Sequence, residues 1–239
     1  MKPPAGIRIE AISRHYRTPA GVVRAVDGVS AEVEGGTSLA ITGPSGCGKS
    51  TLLGLIGGLD RPTEGRVLID EQPISDLSET DRVDLRHSEL GFVFQSDNLL
   101  PFLTAGENVG LQLALHSRAD GHERCVELLA RLGLDDSVDK LPDQLSGGQR
   151  QRVAVARALV HEPRVVLADE PTGSLDADNS ALILELLLAA QHEHHTTLVV
   201  VTHDLEVARR LDATIAMRDG KLDRKDLGSG RRTSGRARC

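Results

Sequence analysis

The chain has 239 residues, of which 39% are hydrophobic, 2% aromatic and 26% charged, with a formal net charge of −7. That length suits one large domain or one domain carrying an inserted lobe, its core must be aliphatic, and the acidic balance argues against a general nucleic-acid binder. No run of about 18 apolar residues and no apolar leader occurs, so neither a transmembrane helix nor a signal peptide is expected and the cytoplasm is the expected compartment.

Short apolar segments alternate with helical ones, the pattern of a sheet with crossover helices. Strands are predicted at IRIEAI (7–12), SLAIT (38–42), RVLI (66–69), GFVFQ (91–95), RVVLAD (164–169), TLVVVT (197–202) and ATIAM (213–217). SLAIT, RVVLAD and TLVVVT are apolar through their centres, as strands buried on both faces of a parallel sheet are. Residues 7–12 and 22–34 alternate more and are expected to form an antiparallel edge layer. From about 96 to 160 strand signals vanish and helical ones dominate. There Thr104 and Glu107 have the spacing of a capping box, and Gly133 is placed to end the helix HERCVELLARLGL. The expected architecture is α/β, with a mostly parallel sheet, an antiparallel β edge layer and an inserted α-helical lobe. The core is expected at about 7–95 and 161–224, the lobe at 96–160, and a disordered basic tail at 225–239. Residues 218–239 hold eight Lys/Arg against three Asp, which reads first as a solubilising or cloning-derived tail and alternatively as a segment drawn to an anionic lipid surface.

Gly43, Pro44, Ser45, Gly46, Cys47, Gly48, Lys49 and Ser50 fit G-x-x-x-x-G-K-[ST], followed by Thr51, between a predicted strand and a predicted helix. Glycines let backbone N–H groups converge on phosphate oxygens, and the helix start adds positive field. Lys49 is placed to reach the β- and γ-phosphates and Ser50 to offer its hydroxyl to Mg²⁺, the cofactor of ATP. The three cysteines, Cys47, Cys125 and Cys239, are far apart without a CxxC pair, which favours free thiols over a disulfide or zinc site. Cys47, inside the loop, is expected to be a reactive thiol.

VVLADEP (165–171) ends an apolar strand in two carboxylates. Asp169 is suited to Mg²⁺ and Glu170 to the attacking water. Gln95 ends one predicted strand and could reach the metal or the water, and His203 follows another and could contact the γ-phosphate. QHEHHTT (191–197) spreads its histidines around a helix end, so no metal beyond Mg²⁺ is expected. A second glycine-rich helix start stands at LSGGQRQRVAVARAL (145–159). One nucleotide cannot use both starts of one chain if they lie on different lobes. Two copies head to tail can, with Ser146, Gly147, Gly148 and Gln149 of one facing the phosphate loop of the other.

Taken together, GPSGCGKST, Gln95, LSGGQ, VVLADE, SLD (174–176) and His203 resemble, in order and spacing, the ATPase subunit of an ATP-binding cassette transporter. The resemblance runs over about residues 7–224. It implies an ATP-sandwich homodimer, catalysis by Glu170 and His203, adenine stacked on Tyr16, and a groove beside Gln95 that receives a membrane subunit. LIGGLDRPTEGRVLID and GFVFQSDNLLPFLTAGENV look like the branch serving macrolide export, lipoprotein release and cell division. That branch implies permeases with large extracytoplasmic domains, and a place on the cytoplasmic face of the membrane. A cassette driving a membrane regulator of cell-wall enzymes, or a peptide sensor, is the alternative. Repair or chromosome ATPases would need a long coiled coil, and LSGGQ with His203 argues against a P-loop kinase or GTPase.

Overall fold

A computed structural model describes residues 3–19, 21–114, 121–173 and 175–223. The predicted basic tail and Ser174 of SLD lie outside the described residues. In chain order the elements are β1 (Ile7–Thr18), β2 (Gly21–Val33), β3 (Ser38–Thr42), α1 (Lys49–Ile56), β4 (Glu64–Ile69), β5 (Gln72–Pro73), α2 (Glu79–Glu89), β6 (Leu90–Val93), α3 (Ala105–Ala114), α4 (Gly121–Arg131), α5 (Gly147–Leu159), β7 (Val165–Asp169), α6 (Ala177–His194), β8 (Thr197–Val201), α7 (Leu205–Arg209), β9 (Ala213–Arg218) and β10 (Lys221–Leu222).

Two sheets form. One has the order β2-β1-β4-β5 with every pairing antiparallel. The other has the order β10-β9-β3-β8-β7-β6, parallel except at β10. The expected mostly parallel sheet and antiparallel edge layer are both present.

Period-two alternation divides the core. Val165 and Leu167 of β7 and Val199 and Val201 of β8 face a cluster with Ile7, Ile12, Val29 and the α1 residues Leu52, Leu55 and Ile56. Their sequence neighbours Val166, Ala168, Leu198 and Val200 face α6 and α7 through Ile183, Leu184, Leu187 and Val207. Both faces of the parallel sheet are thus covered, which is why these strands are apolar throughout. Each fully buried Val, Leu or Ile contributes about 1.5–3 kcal/mol.

A third cluster lies in the helical segment: Ala105, Val109 and Leu113 of α3, Cys125 and Leu129 of α4, Val153 and Ala156 of α5, and Val160 just past its end. Helix α5 also turns Val155 and Ala158 onto the sheet cluster. It is therefore buried on two sides, one toward the helices and one toward β6. The Thr104–Glu107 capping box forms, with Thr104 N donating to Glu107 at 2.8 Å and Glu107 N to Thr104 at 3.2 Å. Gly133 follows α4 with φ 63, as its predicted stop requires.

Three elements depart from expectation. β6 ends at Val93, because its pairing with β7 stops at Ala168, and Gln95 falls in a bend beyond it. β1 runs on to Thr18 through irregularities in its register near Ala11, whose φ is 46. Helix α2 has no counterpart in the predicted elements; only its Arg82 is buried, so it lacks an apolar stripe.

Candidate active site

β3, buried along its whole length, delivers the chain into the loop 43–48. Gly43 has φ +142, and a Cβ there would lie 2.2 Å from the Met217 carbonyl oxygen. Gly48 has φ +104, and a Cβ there would lie 2.0 Å from the Ala25 carbonyl oxygen. The loop is wedged between β2 and β9, and only glycine fits at its two ends. Between them Pro44, Ser45 and Gly46 are exposed. Gly48 caps α1 in the left-handed region without a side-chain cap, so no side chain competes for the first-turn amides.

Lys49 is buried, and its Nζ donates to the carbonyls of Gly43 at 2.9 Å and Pro44 at 3.0 Å. Its ammonium is folded across the mouth of the loop. Cys47 is also buried, under Gly43, with its carbonyl accepting from the Gly220 amide at 3.0 Å. Alkylation there requires the loop to open, which corrects the expectation of a readily reactive thiol. Ser50 is exposed and Thr51 half-buried, both in the first turn of α1.

The strand register sets the other groups on the same edge. Ile41 and Asp169 both pair with Val201, and Val93 with Ala168, so the carboxyl ends of β3, β6, β7 and β8 are level. Ligands of open α/β sheets bind outside that edge. Burial holds the Asp169 carboxyl above the usual carboxylate range, and nearby Glu170 adds to this, while a hydrogen bond from Ser50 and the charge of Lys49 oppose it. Its Oδ1 is buried without a hydrogen-bond partner. An orphaned carboxylate oxygen beside a hydroxyl is a hard oxygen donor set, and Ser50 and Asp169 fit a Mg²⁺ ion.

Glu170 follows with φ 47, rare for a residue with a side chain, and its amide donates to Val201 O at 2.9 Å. That turn points the carboxylate away from Asp169 and toward His203, whose Nδ1 lies 2.8 Å from Glu170 Oε2. Glu170 is 13% exposed and His203 69%, so the imidazole covers the carboxylate from the solvent side. Gln95 is exposed, just beyond the end of β6 on the same edge.

Ser146, Gly147, Gly148 and Gln149 lie elsewhere, at the start of α5. Ser146 Oγ accepts from Gln149 N at 3.2 Å, and Ser146 N donates to Gln149 Oε1 at 2.8 Å. This is a capping box, a role of Ser146 and Gln149 beside the phosphate binding expected of them. The neighbour of Gly148 is Asn179, in the first turn of α6, 3.1 Å from where a Cβ would stand. Asn179 is tied to the α6 cap, Asp176, which its amide and side chain hold below the usual carboxylate range. The phosphate loop, by contrast, touches Ala25, Met217 and Gly220.

The arginines of α5 grip the chain after Gln95. Arg150 Nε donates to Asp97 at 2.8 Å, and Arg157 donates to the carbonyls of Asn98 at 2.7 Å and Asp97 at 2.9 Å. Arg152 holds Leu132 O at 2.8 Å. Sequence reasoning missed these ties, although Arg150 and Arg157 stand two helical turns apart on one face of α5, a signal that was available. Tyr16 lies on the β1–β2 hairpin, 37% exposed, paired with Val23.

Among the described residues no cluster of three or more His, Cys, Asp or Glu could hold a further metal. Nor is any described helix long and apolar enough to cross a membrane.

An amide-lined cradle at a strand-to-helix turn, with one strand between it and a carboxylate pair, is built for the phosphates of a nucleotide, which places the chain among the P-loop nucleotide hydrolases. Within that class it belongs to the ABC transporter family, whose model matches residues 26–173, and it is an ATP-binding cassette ATPase. It is 47% identical over 227 residues to the macrolide export ATP-binding/permease protein MacB of Hyphomonas neptunium, covering 93% of this chain but only 34% of that protein. It is 43% identical over 215 residues to the lipoprotein-releasing system ATP-binding protein LolD of Legionella pneumophila, covering 89% of this chain and 95% of the relative. Among solved structures, the dimeric post-hydrolysis state of the ATP-binding cassette MJ0796 bound to ADP and Pi matches with TM-score 0.88 and 40% identity over 93% of this chain and 99% of that one. The cbiO1 protein of Clostridium perfringens, part of the ABC transporter complex cbiONQ, matches with TM-score 0.78 and 32% identity over 91% of this chain and 86% of that one.

Proposed function

We propose that two copies of the chain bind head to tail around two ATP molecules and drive an export-type permease from the cytoplasmic face of the membrane. One observation carries the reading: the glycine-rich start of α5 adjoins Asn179 of α6, whereas the phosphate loop is enclosed by β2 and β9. A second copy supplies what each loop lacks. Two-fold symmetry then gives two identical sites. The dimeric cassettes among the solved relatives support this arrangement. MacB, a macrolide export ATP-binding/permease protein, and LolD, the ATP-binding protein of a lipoprotein-releasing system, support the export branch and a membrane permease as partner.

In this reading Gly43 to Thr51 seat the phosphates, and Lys49 leaves its carbonyl partners to reach the β- and γ-oxygens. Ser50, Gln95 and Asp169 would hold Mg²⁺, which when bound would supply positive charge to the phosphates. Glu170 orients the attacking water and accepts its proton, while His203 contacts the γ-phosphate and holds the Glu170 carboxylate in place. Ser146, Gly147, Gly148 and Gln149 of the partner copy complete the site, and Tyr16 stacks on the base. The core comprises about 7–95 and 161–224, with 96–160 as the lobe that meets the permease.

The test is Glu170→Gln, which keeps the shape of the side chain and removes the base. Steady-state turnover should fall about 10²–10⁴-fold, and the ATP-bound protein should run as a dimer and retain a few-helix permease from native membranes. Normal turnover removes Glu170 from its role. A monomer with ATP bound removes the sandwich, and a many-helix importer-type partner removes the export branch.

A further inference from the structure

The resemblance gives Tyr16 a role but says nothing of what holds it. In the structure the Arg14 guanidinium lies over the Tyr16 ring, 4.6 Å from its centroid, well within cation–π range. Asp60, at the turn after α1, joins the two: its Oδ2 accepts from Arg14 Nε at 2.8 Å and from the Tyr16 hydroxyl at 2.9 Å. Its other oxygen accepts from the Arg61 amide at 2.7 Å, so the carboxylate is itself anchored to backbone. One face of the ring is occupied and its tip is fixed. Tyr16 pairs with Val23, two residues from the Ala25 carbonyl that abuts Gly48. At about 3.3 Å per residue, Val23, the strand partner of Tyr16, stands roughly 7 Å along β2 from that contact, a spacing on the scale of a ribose.

We infer that Arg14 and Asp60 are positioning residues for the base: they clamp the Tyr16 ring so that a purine stacks on its one open face, in the order guanidinium, phenol, purine. The inference rests on the stacking role proposed for Tyr16. An unclamped tyrosine would lose its rotamer freedom when ATP binds, and a clamped one has lost it beforehand, so the brace raises affinity through preorganisation. It also puts a cation behind the ring, which polarises the open face. Neither side chain touches the phosphates, so the effect belongs to the base alone.

The experiment measures Kd by titration calorimetry for ATP and for inorganic tripolyphosphate, on the full chain and on Tyr16→Ala, Arg14→Met, Asp60→Ala and the double variant Arg14→Met/Asp60→Ala. Tyr16→Ala should raise the Kd for ATP about 5- to 100-fold, the range of a lost aromatic stack under a base. Arg14→Met and Asp60→Ala should each raise it about 3- to 10-fold, and the double variant little more than either, because the two act as one unit. Tripolyphosphate affinity should stay within about twofold in all four. In steady state KM should rise while kcat holds, as for a group that binds equally in ground and transition states. If Tyr16→Ala weakens ATP but Arg14→Met and Asp60→Ala do not, the brace is refuted and the stacking role stands. If Tyr16→Ala leaves ATP affinity unchanged, both fall. If tripolyphosphate weakens in step with ATP, the residues act through the fold of the hairpin, and the brace is again refuted.

Discussion

Replacing Ser146 by alanine should damage the ATP-bound dimer far more than the fold. In the single chain Ser146 does one job: its Oγ accepts from the Gln149 amide at 3.2 Å and so caps α5. Losing such a cap costs about 1 kcal/mol, which at this chain length lowers Tm by roughly 2–4 °C. A hydroxyl can accept and donate at once. While it accepts from Gln149, its proton remains available for a phosphate oxygen of the partner's ATP. A hydrogen bond to a charged group contributes about 1.5–3 kcal/mol, and the symmetric dimer has two, so about 3–6 kcal/mol is lost from assembly. That is a weakening of roughly 10²–10⁴ in the dimerisation constant. The assay is sedimentation velocity over a range of protein concentrations, in a Glu170→Gln background with ATP and Mg²⁺. Thermal unfolding of the nucleotide-free chain runs beside it. A dimerisation constant changed by less than about fivefold, with Tm lowered as expected, would show that Ser146 only caps its helix, and the trans site would lose its donor.

Four further outcomes follow from the geometry. Gly48→Ala puts a Cβ 2.0 Å from the Ala25 oxygen at φ +104, so the hairpin or the loop must shift; a loss of about 2–4 kcal/mol of stability, with ATP affinity lost, should appear in denaturant unfolding and calorimetry. Lys49→Ala removes the donor now shared by Gly43 and Pro44 and should weaken ATP binding at least tenfold by titration. Asp169→Asn should raise the Tm of the nucleotide-free chain at neutral pH while abolishing hydrolysis. The sign follows from the raised pKa: in the window just above the ordinary carboxylate value the folded state binds more protons than the unfolded one. Stability is therefore lost as pH rises through that window, and the wild-type Tm should fall there while the Asn variant's does not. Arg157→Ala strips donors from the Asp97 and Asn98 carbonyls, and thermal unfolding should show a loss of about 1–3 kcal/mol.

The parts of this molecule that were legible in the sequence are those whose residues are neighbours in the chain. The phosphate loop, the carboxylate pair at the end of β7 and the start of α5 are each set by a run of under ten residues, and the apolar periodicity around them gives their context. What could not be read depends on groups brought together by the fold. Arg14 and Tyr16 meet Asp60 across 46 and 44 positions, and no spacing rule encodes that. The turn of Glu170 toward His203 needs a positive φ at a residue that rarely adopts one. Helix α2 escaped notice because it buries only Arg82 and so shows no periodic apolar face. The strand expected to reach Gln95 stops short because the register with β7, not the apolar run, decides where pairing ends.

Helix α5 is buried on two sides and bears a polar, glycine-rich tip at its start. Its 13 residues make a rod about 20 Å long. A rod of that length pivoting at its far end by about 3° carries its tip through about 1 Å, and a hydrogen bond stretched by 1 Å is no longer one. The same rod holds Asp97 and Asn98 through Arg150 and Arg157. In the proposed dimer, a small tilt of one stiff element would therefore loosen a nucleotide on the neighbouring molecule and tug the segment beside Gln95 in its own, so that one helix would act as a lever on both sites.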